Sequence, residues 1–182
     1  MNDYPDTSFL YAIYRKQVNS PQAAAFFQKM PEPLTVSSLL LYEFRQSVRF
    51  QGYLFAQDTR QGFSWTLGAT LLKTLQADLA TGVLLVATVD WADVQNIAER
   101  LSAQHTLAAG HRALDVLHVA TALHLGAEEF LTFDQNQRAL AVAEPGATLA
   151  GRGVLLARVH FDEVRWNERG NEVTLVKRIP GL

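Results

Sequence analysis

Leu114-Asp115-Val116-Leu117-His118-Val119-Ala120-Thr121-Ala122-Leu123-His124-Leu125 stops at Gly126 and gives way to Glu129-Phe130-Leu131-Thr132-Phe133, closed by Asp134. The first segment is apolar almost all round a helical circumference, and such a helix is buried. The second is a short apolar run of strand length beginning a few residues after a helix stop signal. A buried helix feeding directly into a buried strand is half of a helix–strand–helix unit, the building block of an α/β fold with a parallel sheet.

Working outward, the same alternation continues in both directions. Strands are predicted over Asp3 to Asp6, Leu34 to Ser37, Val83 to Val89, Glu129 to Phe133 and Val154 to His160. Helices are predicted over Ser8 to Gln17, Ser20 to Met30, Ser38 to Gln51, Tyr53 to Ala80, Trp91 to Gln104, Leu114 to Leu125 and Gln135 to Val142. Gly52, Gly82, Gly110 and Gly126 punctuate the helix ends. After His160 the pattern changes: Glu163 to Trp166 and Glu172 to Val176 flank Asn167-Glu168-Arg169-Gly170-Asn171, which reads as an appended β-hairpin.

Composition narrows the possibilities. The 182 residues suffice for one domain with its own core, and 48% hydrophobic with 19% charged residues is ordinary globular usage. The absence of cysteine excludes a disulfide framework, a zinc ribbon and a thiol nucleophile, and fits a reducing compartment, so a cytoplasmic location is expected. The longest uncharged stretches, Gln61 to Leu72 and Val116 to Ala127, are too short to cross a bilayer. Net charge is −2, with 10 basic and 14 acidic side chains in residues 1–151. Nucleic-acid binding is therefore not announced by composition, and the carboxylates need an explanation.

In an open parallel sheet, function gathers beyond the carboxyl ends of the strands. Asp6 follows the first predicted strand, Asp134 the fourth, Glu43 lies on the helix after Leu34 to Ser37, and Asp115 opens the buried helix. Each aspartate precedes a helix and could simply cap it. Glu43 is different. On its helix Leu39, Leu40, Ser47 and Phe50 share its face, while Arg45 and Arg49 point away, so it turns inward with no cation from its own helix. Two carboxylates about 4 Å apart repel by roughly 4 kcal/mol at an effective dielectric near 20, so a convergent cluster would protonate or hold a cation. Oxygen ligands without cysteine or a dense histidine set point to Mg²⁺ or Mn²⁺. His105, His111, His118 and His124 lack the i, i+4 spacing of a zinc-gripping pair.

These residues resemble a family, the PIN-domain ribonucleases and among them the VapC-like toxins of toxin–antitoxin pairs. The resemblance rests on Asp6-Thr7-Ser8, on Val36-Ser37-Ser38 leading to Glu43, on Leu114-Asp115-Val116-Leu117-His118-Val119-Ala120-Thr121-Ala122-Leu123, and on Thr132-Phe133-Asp134. It implies a three-layer α/β/α fold around a central parallel sheet over 1–157, with 158–182 as a C-terminal extension. It also implies that Asp6, Glu43, Asp115 and Asp134 converge as the metal-binding and catalytic cluster, with Ser8 and Thr132 as supporting hydrogen-bonders. The expected activity is Mg²⁺- or Mn²⁺-dependent hydrolysis of RNA, with an antitoxin protein as partner and a homodimer as the assembly.

Around that cluster, His118 is placed to orient a carboxylate or contact a phosphate, and Arg112 and Arg138 to meet an RNA backbone that carboxylates alone would repel. Arg45 and Arg49 read as a solvated face. Leu67, Leu71, Leu72 and Leu75, on a helix long for so small a domain, read as an apolar ridge for a second subunit or an antitoxin. The competing readings are a non-catalytic module binding RNA or protein, and a nuclease of the same chemistry acting on DNA.

Overall fold

A computed structural model describes residues 3–143, together with the strands at 163–166 and 173–176. Four short parallel strands form the centre. β1 (Asp3–Pro5) pairs with β4 (Glu129–Leu131), Tyr4 opposite Phe130. β2 (Leu34–Val36) pairs with β3 (Leu84–Val86), Thr35 opposite Leu85. β1 also lies against β2, which sets the pairs side by side in the order β3-β2-β1-β4.

The side-chain period of two divides the interior between the two faces of this sheet. Leu34, Val36, Leu84 and Leu131 enter one core with α1 (Thr7–Tyr14), α2 (Ser20–Phe27), α3 (Ser38–Gln57) and α4 (Trp65–Thr81). Tyr4 and Phe130 enter the other with α5 (Trp91–Ala109), α6 (Ala113–His124) and α7 (Gln135–Ala143). Adjacent residues of β4 thus serve opposite cores, and the result is the expected α/β/α sandwich. Tyr4 and Phe130 stack with ring centroids 6.3 Å apart, a same-face pair across the ladder.

Each crossing from strand to helix is fixed by a cap. Asp6 accepts the Phe9 amide at 2.9 Å, Ser37 that of Leu40 at 3.2 Å, and Asp134 those of Asn136 and Gln137 at 2.8 and 3.0 Å. The Asp6 amide donates to the Leu131 carbonyl at 2.9 Å, carrying the ladder one step past Pro5, which has no N–H to give.

Several boundaries differ from expectation. Tyr53 to Ala80 is not one helix: α3 runs through Gly52 to Gln57, and α4 begins after Ser64, whose side chain accepts the Leu67 amide. Gly52 is a close-approach glycine, since a Cβ there would sit 3.4 Å from the Trp65 ring. The supposed ridge therefore divides: Leu71 and Leu75 are core, Leu72 packs against that core, and Leu67 is exposed. Phe50, placed inward by helical angle, is exposed and stacks on Tyr53 at 6.0 Å. α5 outruns Gln104 to Ala109, ending at Gly110 with φ +69°. β3 is only three residues long, Leu85 and Val86 being half exposed.

β5 (Glu163–Trp166) and β6 (Val173–Val176) pair antiparallel, as the hairpin reading requires. The strand expected over Val154 to His160 and the boundary near 157 lie outside the described residues. No helix among the described residues is long and apolar enough to cross a membrane.

The loop between α3 and α4 offers a test. Gly62 has φ +63°, and a Cβ there would fall 2.1 Å from the Gln51 carbonyl oxygen, whereas Gly82, at φ +78°, faces open space. Gly62→Ala is expected to cost about 3 kcal/mol or more and Gly82→Ala about 1 kcal/mol, read by urea denaturation. Equal costs would show that backbone conformation alone, without the clash, governs both sites.

Candidate active site

The strand ends bring two groups of carboxylates to one edge of the sheet. The first is Asp6 with Glu43. Asp6 is fully buried where β1 turns into α1. Its Oδ1 accepts from Ser8 Oγ at 2.7 Å and from the Phe9 amide, and its Oδ2 accepts from Thr132 Oγ1 at 2.6 Å. Ser8 in turn accepts the Phe133 amide at 2.8 Å, and Thr132 the Asp134 amide at 2.9 Å. These hydroxyls tie the end of β4 to the start of α1. Burial nevertheless dominates, pushing the Asp6 carboxyl up from 3.8 to about 6 against all three hydrogen bonds.

Glu43, half-buried on α3, finds its partner on the opposite layer. His118 Nε2 lies 2.5 Å from Glu43 Oε2, and Thr7 Oγ1 donates to the same oxygen. Burial raises the Glu43 carboxyl, but the hydrogen bond and charge of His118, aided by Thr7, outweigh it and hold the group below the usual glutamate range. Behind this pair runs a polar chain through the core. His118 Nδ1 is 3.5 Å from the Tyr4 hydroxyl, which is 2.7 Å from Ser37 Oγ, the cap of Glu43's own helix. Tyr4, Ser37 and His118 are all fully buried. Burial holds the Tyr4 phenol far above its ordinary range, so it stays protonated.

The second group is Asp115 with Asp134. Asp115 lies in the first turn of α6, where its Oδ2 accepts the Arg112 amide and its Oδ1 accepts Gln137 Nε2, both at 3.3 Å. Burial raises its carboxyl first, and the neighbouring charge of Asp134 raises it further. Gln137 bridges the two, its side chain on Asp115 and its backbone amide on Asp134, while its own Oε1 is buried without a hydrogen-bond partner among the described residues.

Of the four acids, Asp115 and Asp134 act on each other's charge, while Asp6 and Glu43 each hold their own hydrogen-bond partners. Among the described residues no three His, Asp or Glu side chains form a group able to hold a metal ion. The physical reason is local: Glu43 is already satisfied by His118 and Thr7, and each aspartate is committed to a helix cap. The chemistry still suits a hard divalent cation. All candidate ligands are oxygens, like charges crowd Asp115 and Asp134, and the orphaned Gln137 Oε1 is a further acceptor beside them.

Of the remaining sequence-predicted residues, Arg112 is exposed at the start of α6, and Arg138 is partly buried, its amide donating to the Asp134 carbonyl at 3.1 Å. Arg49 is exposed and Arg45 partly so. His124 pairs with Asp93 at 2.6 Å, away from the acids. Sequence reasoning missed Thr7, Tyr4, Ser37 and Gln137 as parts of the site. Only Gln137 carried a local signal, the Asp-x-x-Gln spacing of a capping box from Asp134.

A family model described as PIN domain matches residues 4–143. No curated protein matches the chain significantly. Among solved structures, the chain resembles Mycobacterium tuberculosis VapC20, described as a sarcin-ricin loop cleaving toxin, with TM-score 0.54 and 19% identity over 76% of this chain and 94% of that one. It also resembles FitAcB from Neisseria gonorrhoeae, with TM-score 0.54 and 17% identity over 76% and 91%. PAE2754 from Pyrobaculum aerophilum gives TM-score 0.52 and 17% identity over 87% and 96%. At these identities the structural likeness speaks for the fold.

The raised Asp6 value carries a sign that can be measured. Because the folded-state value exceeds the unfolded one, ionising Asp6 costs stability as pH rises from about 4 to about 6, and the full cost, about 3 kcal/mol, persists above that range. In chelator at pH 7.5, Asp6→Asn is expected to unfold at higher urea than the parent, by about 1 to 3 kcal/mol, with the gap closing near pH 4. A gap independent of pH would remove burial of the charge as its cause.

Proposed function

The chain belongs to the PIN domain family, and on that footing we propose that it is a metal-dependent endoribonuclease, the toxin of a toxin–antitoxin pair. The observation that supports the reading is Asp115 beside Asp134 at the end of β4, with the Asp115 carboxyl raised by burial and by its neighbour's charge, while Asp6 and Glu43 follow β1 and β2 of the same sheet. Support for the toxin role comes from the fold shared with VapC20 and FitAcB.

Asp6, Glu43, Asp115 and Asp134 would hold Mg²⁺ or Mn²⁺. Bound there, the ion supplies Lewis acidity, making water easier to deprotonate and offsetting the charge of the scissile phosphate. The chain's own residues do the rest. Ser8 and Thr132 fix both oxygens of Asp6, and His118 with Thr7 fixes Glu43, so the ligand carboxylates are oriented before substrate arrives. Asp115, with its raised value and partial exposure, is the carboxylate suited to take the proton from the attacking water. Arg112 and Arg138 would meet the phosphate backbone on either side of Asp115 and Asp134. The antitoxin is the proposed inhibitor, a homodimer the proposed assembly and the cytoplasm the proposed location.

One observation favours a second reading. The acids already have structural employment, as caps and as the partner of a buried histidine, which is what a non-catalytic RNA- or protein-binding module of the same fold would need. Cleavage assays with single-stranded RNA and matched DNA in Mg²⁺ or Mn²⁺ separate the readings. The expected result is RNA cleavage abolished by chelator and reduced about 100-fold or more by Asp115→Asn. Activity that survives both removes the nuclease proposal, and preferential DNA cleavage redirects it. In the same assay, Arg112→Ala should weaken RNA binding uniformly across sequences and lower the salt slope by about one.

A further inference from the structure

We propose that the cleft beside Asp134, between α1, the start of α2 and α3, is a nucleotide-reading subsite that receives one unpaired base of the RNA next to the cut. The proposal rests on the nuclease reading and adds to it where substrate sequence is read. The cleft has a volume of about 390 Å³, at the small end of the range for small-molecule sites. Ser8 and Asp134 form one end of it, so whatever occupies it is contiguous with the acidic site.

The far end and walls have the chemistry of a base reader. Gln17, Asn19 and Gln51 are neutral amides, each able to donate and accept, which suits the mixed edge of a nucleobase. The Tyr11 hydroxyl lies buried beside Ser47 and makes no hydrogen bond of good geometry among the described residues, which leaves it capacity for a ligand. Phe133 lines the cleft next to Asp134 and supplies an apolar surface. Arg15 is the single basic side chain of the lining, and its guanidinium is held over the Phe63 ring, 4.8 Å from the centroid. A cation fixed by a ring face keeps its N–H groups for a phosphate or a base carbonyl. One cation, three amides, a hydroxyl and an aromatic ring match a nucleotide better than an apolar peptide segment.

Asn19 and Gln51 are suitable probes. Asn19 precedes α2 without a side-chain capping bond, and Gln51 meets the α3–α4 loop through its backbone carbonyl, so neither side chain is a structural staple. The full-length protein and its Asn19→Ala/Gln51→Ala double variant are given a single-stranded RNA with randomised sequence, and the cut sites are sequenced. In parallel, the four nucleoside 5′-monophosphates are titrated by calorimetry into the Asp115→Asn protein, with and without the double substitution. The expected result is a preference of about tenfold or more for one base beside the cut, relaxed to about twofold in the double variant while total cleavage persists. The matching monophosphate should bind about fivefold or more weakly after the double substitution.

Cleavage with no base preference, or with a preference the double variant keeps, overturns the subsite and leaves the nuclease reading standing. If the parent protein cuts no RNA, the nuclease reading fails and the titration alone decides whether nucleotides occupy the cleft. Failure of all four monophosphates to bind overturns the proposal. So does a co-purified protein partner that fills the cleft and is not displaced by nucleotides.

Discussion

The bond between Glu43 and His118 is the constraint around which the rest of this edge of the sheet is arranged. α3 and α6 belong to opposite layers, and only beyond the ends of the strands can a side chain from one reach a side chain from the other. His118 has no access to solvent, so its ring nitrogens must find partners inside the protein. Tyr4 and Ser37 extend the arrangement to β1 and to the start of α3 itself, closing a circuit that begins and ends on one helix. Removing one member of such a circuit strands the others in a medium that cannot solvate them, a penalty of about 3 to 5 kcal/mol for a buried ionic partner. The two layers are thereby locked in register at the place where chemistry is proposed.

Much of the fold was legible because its signals are local. Gly126 and the run after it mark the crossing from α6 to β4. The misreadings have tertiary causes. Gly52 carries the sequence signature of a helix stop, yet it keeps a helical backbone with no positive φ and α3 runs through it to Gln57. The apolar rhythm of Leu67, Leu71, Leu72 and Leu75 hid the break at 58–64, where Ser64 and the left-handed Gly62 are the true punctuation. Phe50 shares a helical face with Glu43, but the sheet's extent rather than the helix wheel decides which residues on that face are covered.

The site divides in the same way. Asp6 and Asp134 could be picked out singly as aspartates at strand–helix junctions, and Asp115 as an aspartate in the first turn of a buried helix. Of their partners, Ser8 and Thr132 were marked by the family resemblance alone, and Thr7, Tyr4 and Ser37 not at all. Tyr4 meets Ser37 across 33 residues, Thr7 meets Glu43 across 36, Glu43 meets His118 across 75, and Thr132 meets Asp6 across 126. No periodicity reaches that far. Helical angle alone pointed His118 toward Asp115, three positions back on the same helix, whereas packing of the two layers delivered it to Glu43.

Capping and the proposed ligation fall on the same carboxylates, and that overlap shapes how such a protein can change over generations. Asparagine terminates a helix as well as aspartate does and is neutral. A single transition in an aspartate codon therefore silences an acid while leaving the architecture intact and relieving like-charge crowding at Asp115 and Asp134. Folding quality control has no reason to discard the product. If the proposed chemistry holds, descendants that have lost their acids would persist as well-made, inert copies, and only selection on that chemistry would keep the charges in place.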